Sequence, residues 1–395
     1  MKKYKLAYFV SHPIQYQAPM LKELSNHPEI DLTVFFQSDI SLREYDDVGF
    51  GVKVKWDVDL LDGYKYKFLD VIKKDNNKLG FFRPIVSGVY SALKGEKWDA
   101  VWFHGYNHHS IMWAMFLCKV LNIPFFMRME ANLNFSPKGK WLKDKLINFI
   151  VKNASGLLYI GKDNKDYYLS YGADENKLFS MPYTVNNDFF QNLSNKEKEN
   201  ITREKEKLGL KKDLPIILYA SKFIKRKNPV RLLESFASLS TNGKSPSAYL
   251  LYIGEGEEKQ AIKNKIKEYG LEDNVKLLGF KNQSELPLYF TMCDVFVLPS
   301  NKEPYGLIVN EVLNCAKPII TTTEVGSAKD LIVHNENGFI YEPEDIESLS
   351  KYLKKFIDDD TLSETMGQKS LEKINTWSYK ENVEGIYKAL KSLNK

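Results

Sequence analysis

Cysteine, long apolar runs and an excess of one charge are all scarce in this chain. Its three cysteines, Cys118, Cys293 and Cys315, lie far apart in apolar runs, so they fit neither a metal-ligand spacing nor a disulfide framework. We expect buried thiols in a reducing cytoplasm. No segment approaches the roughly 18 apolar residues of a membrane-spanning helix. The 56 basic and 51 acidic residues leave a net charge of +5, without the basic patch of a dedicated nucleic-acid-binding protein.

What the chain does have is enough length and apolar content for more than one core. It has 395 residues, of which 43% are hydrophobic and 13% aromatic, and a chain of this size divides into domains as a rule. The N-terminal run "LAYFV" is short and precedes Ser-His-Pro, which indicates a first β-strand and not a signal peptide. We expect a soluble protein that is peripheral to a membrane at most.

Short apolar strands alternate with helical segments in both halves of the chain. Strands that are apolar on both faces are typical of parallel sheets covered by helices, so we predict an α/β protein with two doubly wound, Rossmann-like domains. The predicted bounds are 1–188, 189–375 and a C-terminal helix, 376–395, that packs back on the first domain. The strands carrying this prediction are "KLAYFV", "DLTVFF", "DAVWFH", "IPFFMR", "GLLYIG", "PIILYAS", "AYLLYIG", "NVKLLG", "DVFVLPS", "KPIITTT" and "NGFIY".

Residues that directly follow strands matter most, because open parallel sheets bind ligands beyond the carboxyl ends of their strands. After "PIILYAS" come four cations within six residues, Lys222, Lys225, Arg226 and Lys227, which suit a diphosphate or form a solvated basic turn. After "AYLLYIG" comes a turn with Gly254 and Gly256 that opens a helix and favours an anion. The G-x-G-x-x-G dinucleotide fingerprint is missing, which disfavours an NAD(P) oxidoreductase.

The stretch "NKEPYGLIVNE" places two carboxylates around an apolar segment. Pro304 suits the first turn of a helix, with Asn310 and Asn314 opposite its apolar arc. Glu303 precedes this helix and Glu311 lies at the edge of the arc. Paired hydroxyls of a sugar or ribose would satisfy both carboxylates without a counter-ion. Alternatively, Glu311 snorkels and Glu303 is only a helix N-terminal charge.

The second half resembles glycosyltransferase family 4, whose members are retaining enzymes of the GT-B fold. "EPYGLIVNE" is similar to its E-x7-E motif and "SKFIKRKN" to its G-R-x-x-x-x-K-G, with Lys222 in place of Arg. "YIGEGEEK" and "EVGSAKDLIVHNENGFIY" are similar to further motifs, with Asp330 at a glutamate position. "SHPIQYQAP" with "HGYN" resembles a subgroup associated with bacterial surface polysaccharides, including capsule and lipopolysaccharide.

The resemblance implies a role for each matched residue. Lys222 and Lys227 would hold the donor diphosphate and stabilise it as it leaves, Glu303 would bind the donor sugar, and Glu311 the ribose. Backbone at Gly279 and Phe280 would meet the base. The remaining expected donor contacts are Gly254, Gly256, Tyr305, Gly306 and Leu307. With lysines at the diphosphate and no D-x-D at a strand end, we expect no metal and no cofactor apart from the nucleotide-sugar substrate.

The first half departs from the family, since its first strand lacks the usual Gly-rich loop. His12, Gln15 and Tyr16 follow that strand, and we expect them to contact the acceptor or the sugar. In "WFHGYNHHS", His104 and Asn107 are expected near a sugar, whereas metal binding by His104 and His108 is disfavoured because no carboxylate accompanies them. Where the family often has a histidine, this chain has Glu130, beside Arg128. These two form either a buried ion pair or a sugar or acceptor contact, and with His104 the Glu130 carboxylate is a candidate catalytic group.

The predicted function is transfer of a sugar from a UDP-sugar, or a GDP-sugar, to a glycan or lipid-linked acceptor. Its rivals are a nucleotide-sugar epimerase on the same fold and a non-catalytic nucleotide-sugar-binding protein. We expect a cytoplasmic protein with the active site in a cleft. The segment "SPKGKWLKDKLINFIVKNASG" mixes five lysines with large apolar residues. It is either a helix packed on its own sheet or one that also meets an anionic membrane.

Overall fold

The computed structural model describes residues 3–43, 45–47, 52–54, 59–76, 79–240 and 245–394. Contacts divide the chain into two compact units. The first contains Met1–Asp46, Lys53–Asn186 and Trp377–Lys395, and the second is built on Asn187–Thr376.

The first unit contains a seven-stranded sheet with the order β11-β10-β9-β8-β1-β2-β5, and its strands pair in parallel. Two small strand pairs, β3–β4 and β6–β7, accompany it. Its strands are β1 (Tyr4–Val10), β2 (Ile30–Phe36), β3 (Tyr45–Asp47), β4 (Val52–Val54), β5 (Lys65–Phe68), β6 (Val71–Lys73), β7 (Ile85–Val86), β8 (Ala100–His104), β9 (Phe125–Arg128), β10 (Gly156–Tyr159) and β11 (Leu178–Ser180). Its helices are α1 (Ala18–Asn26), α2 (Val89–Lys94), α3 (His109–Val120), α4 (Trp141–Asn153), α5 (Lys162–Ser170) and, near the C-terminus, α15 (Tyr379–Ser392).

Helices cover both faces of this sheet. On one face, Ile111 and Met115 of α3 and Ile147 and Ile150 of α4 share a core with Phe103. On the other face, α1 and α15 form a second core with the inner strands. The last helix is fixed by a capping box at Ser378, which satisfies backbone donors that a helix start leaves open.

The second unit has a six-stranded parallel sheet with the order β14-β13-β12-β15-β16-β17. Its strands are β12 (Ile216–Ala220), β13 (Tyr249–Ile253), β14 (Val275–Leu277), β15 (Val295–Leu298), β16 (Ile319–Thr322) and β17 (Gly338–Tyr341). Its helices are α6 (Asn187–Glu197), α7 (Ile201–Lys207), α8 (Pro229–Ala237), α9 (Lys259–Glu268), α10 (Leu286–Met292), α11 (Ile308–Asn314), α12 (Ala328–Leu331), α13 (Ile346–Asp358) and α14 (Leu362–Ile374). The central strands β12 and β13 are buried along their whole length.

The predicted α/β class and the apolar strands are confirmed, and all three cysteines are buried. Two local predictions were wrong. Pro304 is not in the first turn of a helix, because Glu303 forms a parallel bridge with Val325 and α11 begins only at Ile308. Asn310 and Asn314 do not face solvent, being 0% and 2% exposed.

Candidate functional site

Both large sheets have a topological switch point, which is where doubly wound sheets bind ligands. In the second unit, β12 lies between β13 and β15, so the chain leaves β12 towards one side and returns to its other side at β15. The loops after these two neighbouring strands therefore open next to each other. The first loop carries Lys222–Lys227 and the second carries Glu303.

Lys227 and Glu303 form an ion pair at this switch point. The Lys227 Nζ donates to Glu303 Oε2, and the two side chains are only 10% and 11% exposed. Arg226 Nη1 lies 3.3 Å from the same oxygen but is 41% exposed. Burial lowers the pKa of Lys227, although the neighbouring Glu303 opposes this shift. The pair therefore keeps two opposite charges out of water at one edge of the sheet.

This pairing corrects the expectation that hydroxyls, and not cations, satisfy Glu303. The Glu303 carboxylate has two cationic neighbours, Lys227 and Arg226. A carboxylate has room for several hydrogen bonds, so a bound hydroxyl would share Glu303 with Lys227 or replace it. The sequence placed both residues at strand ends, but it did not predict that they meet.

A cavity of about 280 Å³ opens beside this pair. Among the predicted residues, Lys222, Lys227, Gly254, Phe280, Glu303, Gly306 and Leu307 line it. Gly256, Gly279, Tyr305 and Glu311 are not in its wall, and Tyr305 is buried at 4% exposure. Ser221, Lys281 and Leu286 also line it and were not among the predicted residues. The directly preceding strand end was a signal for Ser221.

Two glycines in this region are required by close backbone approach. Gly254 has φ +139°, and a Cβ there would lie 2.0 Å from the Ser221 carbonyl oxygen. Gly256 has φ +149°, with the Phe223 carbonyl oxygen 2.5 Å from a built Cβ. No other residue fits these positions. The turn after β13 therefore lies directly against the turn after β12, and the cavity is walled by main chain.

Glu311 lies in the first turn of α11 and is half-buried. Desolvation raises its pKa to about 8. Within the described part of the chain, no hydrogen bond or ion pair reaches its carboxylate. A group in this state is suited to hydrogen bonding with hydroxyls, which is the role predicted for it.

The switch point of the first unit lies between β1 and β8, and a polar cluster is built there. His104 Nε2 lies 2.8 Å from Glu130 Oε1. Tyr16 and Tyr183 donate to the same Glu130 oxygen over 2.9 and 2.7 Å. Gln17 Nε2 lies 3.2 Å from His104 Nδ1. The cluster joins residues that follow β1, β8 and β9, together with Tyr183.

This cluster holds Glu130 in its ionised form. Burial alone would raise the pKa of Glu130, but the charge of His104, hydrogen bonds from His104 and Tyr183, and the charge of Arg128 together lower it to about 2. The same Glu130 charge, with burial as the larger cause, raises the pKa of Tyr16 and of Tyr183 well above the usual value. An anionic carboxylate that orients an imidazole is a suitable general-base arrangement.

Of the two arrangements expected for Arg128 and Glu130, a direct ion pair is not found among the described residues. Arg128 is 2% exposed. Its guanidinium lies 5.2 Å from the centre of the Tyr183 ring and donates to the Pro182 carbonyl at 3.5 Å. Tyr183 therefore connects Arg128 to Glu130, although it was not among the predicted site residues.

The other first-half candidates are less closely joined to this cluster. His12 is half-buried, and burial together with His108 and His104 lowers its pKa to about 4. Gln15 is half-buried and Asn107 exposed. His108 bonds the Gly80 carbonyl oxygen over 3.0 Å. In the described ranges, no group of three or more His, Cys, Asp or Glu side chains is arranged to hold a metal ion.

Residues 200–373 match the sequence profile of the family described as glycosyl transferases group 1. This segment is a group 1 glycosyltransferase domain. It spans the six-stranded sheet, the Lys227–Glu303 pair and the cavity beside them.

Curated relatives extend the similarity beyond that domain. The chain is 27% identical over 315 residues to the N-acetylgalactosamine-N,N'-diacetylbacillosaminyl-diphospho-undecaprenol 4-alpha-N-acetylgalactosaminyltransferase of Campylobacter jejuni, covering 77% of this chain and 80% of the relative. It is 25% identical to the UDP-Gal:alpha-D-GlcNAc-diphosphoundecaprenol alpha-1,3-galactosyltransferase of Escherichia coli, over 76% and 77% of the two chains. The N-acetyl-alpha-D-glucosaminyl L-malate synthase of Bacillus anthracis is 28% identical, but the match spans 49% of each chain, about half of that relative's length.

Solved structures show that the chain has the GT-B fold. Anabaena HepE in complex with UDP superimposes with a TM-score of 0.74 at 14% identity, covering 99% of this chain and 100% of that one. A glycosyltransferase from Rickettsia africae gives a TM-score of 0.74 at 17% identity, with both chains fully covered. The predicted GT-B fold is thus confirmed, and the match of residues 200–373 confirms the predicted glycosyltransferase domain. None of the helices in the described ranges has the length and apolar character needed to cross a bilayer.

Proposed function

We propose that this glycosyltransferase transfers a sugar from a UDP-sugar to a lipid-linked or glycan acceptor, with retention, in cell-surface polysaccharide synthesis. The observation that carries the proposal is the Lys227–Glu303 pair with Lys222 at one cavity, at the switch point of the second unit. Cations and a carboxylate placed side by side match a donor that presents a diphosphate next to a polyhydroxyl sugar.

The names of the relatives support the class of donor and acceptor. The Escherichia coli relative is named for a UDP-galactose donor and a diphosphoundecaprenol acceptor, and the Campylobacter relative also for a diphospho-undecaprenol substrate. HepE was solved with UDP. A UDP-sugar and a lipid diphosphate acceptor are therefore the first ligands to test.

In the proposed reaction, Lys222 and Lys227 bind the donor diphosphate and neutralise the charge that develops as it leaves. Such a donor group contributes about 3–4 kcal/mol to transition-state stabilisation in other enzymes. Glu303 holds sugar hydroxyls and Glu311 the ribose. No metal is assigned a role, because the two lysines supply the positive charge at the diphosphate.

The His104–Glu130 pair is the proposed acid–base group of the first unit. Glu130 stays anionic and orients the imidazole, and His104 is the group that would exchange a proton with an acceptor hydroxyl. Retention is consistent with attack on the face that the diphosphate leaves. His12, Gln15, Tyr16, Asn107 and Arg128 remain proposed acceptor or sugar contacts or supports of this cluster.

The proposal is tested first by thermal-shift screening with UDP-, GDP- and ADP-sugars, since a ligand that binds the native state raises stability. A labelled sugar of the preferred donor is then incubated with and without a lipid diphosphate acceptor. We expect label in the lipid fraction only when acceptor is present. Lys227→Ala should abolish this transfer, and Lys225→Ala, in the same turn, should not.

Two results would replace the proposed function. A free epimer of the labelled donor, formed without acceptor, would assign the chain as an epimerase. Stabilisation by a UDP-sugar with no transfer to any extracted lipid or glycan would assign it as a binding protein. Full transfer activity in Lys227→Ala would refute the site itself.

A further inference from the structure

An unpartnered apolar surface lies on two neighbouring helices of the first unit, here called the α3–α4 face. On α3 it consists of Trp113, Phe116 and Val120, which are 49%, 49% and 60% exposed. On α4 it consists of Trp141, Leu142 and Phe149, which are 65%, 74% and 37% exposed. Single exposed apolar residues are ordinary, but a contiguous group marks an interaction surface.

The spacing shows that these residues are an outer face and not loosely packed core. Trp113, Phe116 and Val120 recur at the three- and four-residue spacing of one helix side. The opposite side of α3 is filled, since Ile111, Ala114 and Met115 are at most 1% exposed. On α4, Trp141 and Phe149 are eight residues apart, a little over two helical turns, and so lie towards the same side. The inner residues of α4, Ile147 and Ile150, are 0% exposed.

The two helices present one continuous surface. Both pack on the same core cluster of the sheet. The Lys119 ammonium at the end of α3 lies 5.3 Å from the centre of the Phe149 ring and donates to Asn153 Oδ1 at 2.5 Å. At the other end of α3, Phe82 packs on His109 with ring centres 5.6 Å apart and is itself 62% exposed. The apolar strip thus runs from the Phe82 loop across α3 to α4.

Positive charge surrounds this strip. The exposed lysines on α3, α4 and the loop before α4 are Lys119, Lys138, Lys140, Lys145 and Lys152. Two acidic residues lie on these segments. Glu130 belongs to the polar cluster with His104, and the Asp144 carboxylate accepts hydrogen bonds from Tyr171 and from the Gly139 backbone. The Lys145 ammonium lies 3.9 Å from the centre of the Trp141 ring. The whole chain, by contrast, has 56 basic and 51 acidic residues.

We propose that the α3–α4 face docks on an anionic lipid bilayer. Tryptophan and lysine together are the residues of the membrane–water interface, where the ring enters the headgroup region and the ammonium meets lipid phosphate. A protein partner fits less well, because protein–protein interfaces are depleted in lysine. An anionic bilayer buries the apolar strip at the boundary of its acyl chains and pairs its headgroups with the surrounding lysines.

Docking would bring the first unit's polar cluster to the lipid surface. The helix α3 begins at His109, five residues after His104, so the apolar strip starts at the strand edge that carries the His104–Glu130 pair. On the basis of the proposed function, the membrane would present the acceptor, and the acceptor diphosphate would lie at the level of the lipid headgroups. The docking surface itself does not depend on that function.

Co-sedimentation of the full chain with vesicles tests the docking without donor or acceptor. We expect binding to vesicles of phosphatidylcholine with phosphatidylglycerol, and little to phosphatidylcholine alone. Lys140→Glu with Lys145→Glu should reduce partitioning at least tenfold, since each lysine near an anionic surface contributes about fivefold. Trp113→Ser with Trp141→Ser should also lose binding. Lys263→Glu with Lys267→Glu, an equal charge change on α9 of the second unit, should bind as wild type does.

Three outcomes would overturn the proposal. They are equal binding by all variants, absence of binding to anionic vesicles, and a concentration-dependent dimer that the tryptophan variants abolish without vesicle binding. Thermal shift with UDP on each variant checks that the fold and the donor site are intact. Vesicle binding with no sugar transfer would leave the docking standing and refute the proposed function alone.

Discussion

The buried Lys227–Glu303 pair makes a quantitative prediction about stability. Removing one member of a buried ion pair leaves an uncompensated charge and costs about 3–5 kcal/mol. In Lys227→Met, the Glu303 carboxylate keeps Arg226 at 3.3 Å, but that guanidinium is 41% exposed. An exposed pair offsets only about 0–1 kcal/mol. We therefore expect Lys227→Met to lower the free energy of unfolding by about 3 kcal/mol.

The double variant separates pairing from mere truncation. Glu303→Gln alone leaves Lys227 buried beside Arg226 and Lys222, so we expect a similar loss. Lys227→Met with Glu303→Gln leaves no buried charge, and its loss should fall short of the sum by about 1–3 kcal/mol. The control Lys225→Met, at an exposed lysine of the same turn, should stay within about 0.5 kcal/mol of wild type.

Urea denaturation followed by two signals checks this prediction. The five tryptophans in the described ranges, Trp98, Trp102, Trp113, Trp141 and Trp377, all lie in the first unit. Tryptophan emission therefore follows mainly that unit, whereas far-ultraviolet circular dichroism reports both. The circular-dichroism transition should move to lower urea in the single variants. If the double variant loses as much free energy of unfolding as the two single variants together, Lys227 and Glu303 are not coupled and the prediction is wrong.

Three further predictions concern protonation and backbone fit. Folding raises the pKa of Glu311 from 4.5 to about 8, so the folded chain loses its stabilising proton as pH rises through that window. In urea titrations, wild type should therefore lose stability relative to Glu311→Gln between pH 5 and about 8. A stability difference that stays constant with pH would contradict this prediction. Folding lowers the pKa of Glu130 from 4.5 to about 2, so its contribution to stability is present above pH 4.5 and is lost as pH falls towards 2. Glu130→Gln should therefore make stability less dependent on pH below 4.5. An unchanged acid-denaturation curve would refute this prediction. Gly254→Ala should lower the free energy of unfolding by about 1–3 kcal/mol or more and abolish UDP binding. The control Gly270→Ala, at φ +63° with open space around a built Cβ, should lower it by about 1 kcal/mol and keep UDP binding. Equal effects of the two variants would show that the close approach of Gly254 to Ser221 is unimportant.

Sequence reasoning reached the strands and their ends because those depend on local patterns. Apolar runs such as Ile216–Ala220 are buried on both faces, and composition alone reveals them. It missed β5 (Lys65–Phe68), all four residues of which are exposed, because an edge strand with two polar positions has no apolar signature. Local pattern thus predicts core strands well and edge strands poorly.

The pairings within the site depend on strand order, which no local pattern specifies. Lys227 meets Glu303 because β12 and β15 are neighbours, although the two residues lie 76 positions apart. His104 meets Glu130 because β8 and β9 pair in parallel. Side chains at strand ends could therefore be predicted from the sequence. Tyr183, which donates to Glu130 from the loop after β11, was missed because β11 has only three residues, Leu178–Ser180, and was not among the predicted strands.

Lys227 and Glu303 neutralise each other's charge, and this pairing also affects which ligands can bind in the cavity beside them. A simple anion can bind Lys227 only if Glu303 loses its main cationic partner. A simple sugar can bind Glu303 only if the Lys227 ammonium loses its carboxylate partner. A nucleotide-sugar supplies the anion and the hydroxyls together, so each separated group has a new partner. We therefore expect the intact donor to bind more tightly than the separate affinities of UDP and free sugar would predict. The Lys227–Glu303 pair would in this way discriminate against fragments of the substrate.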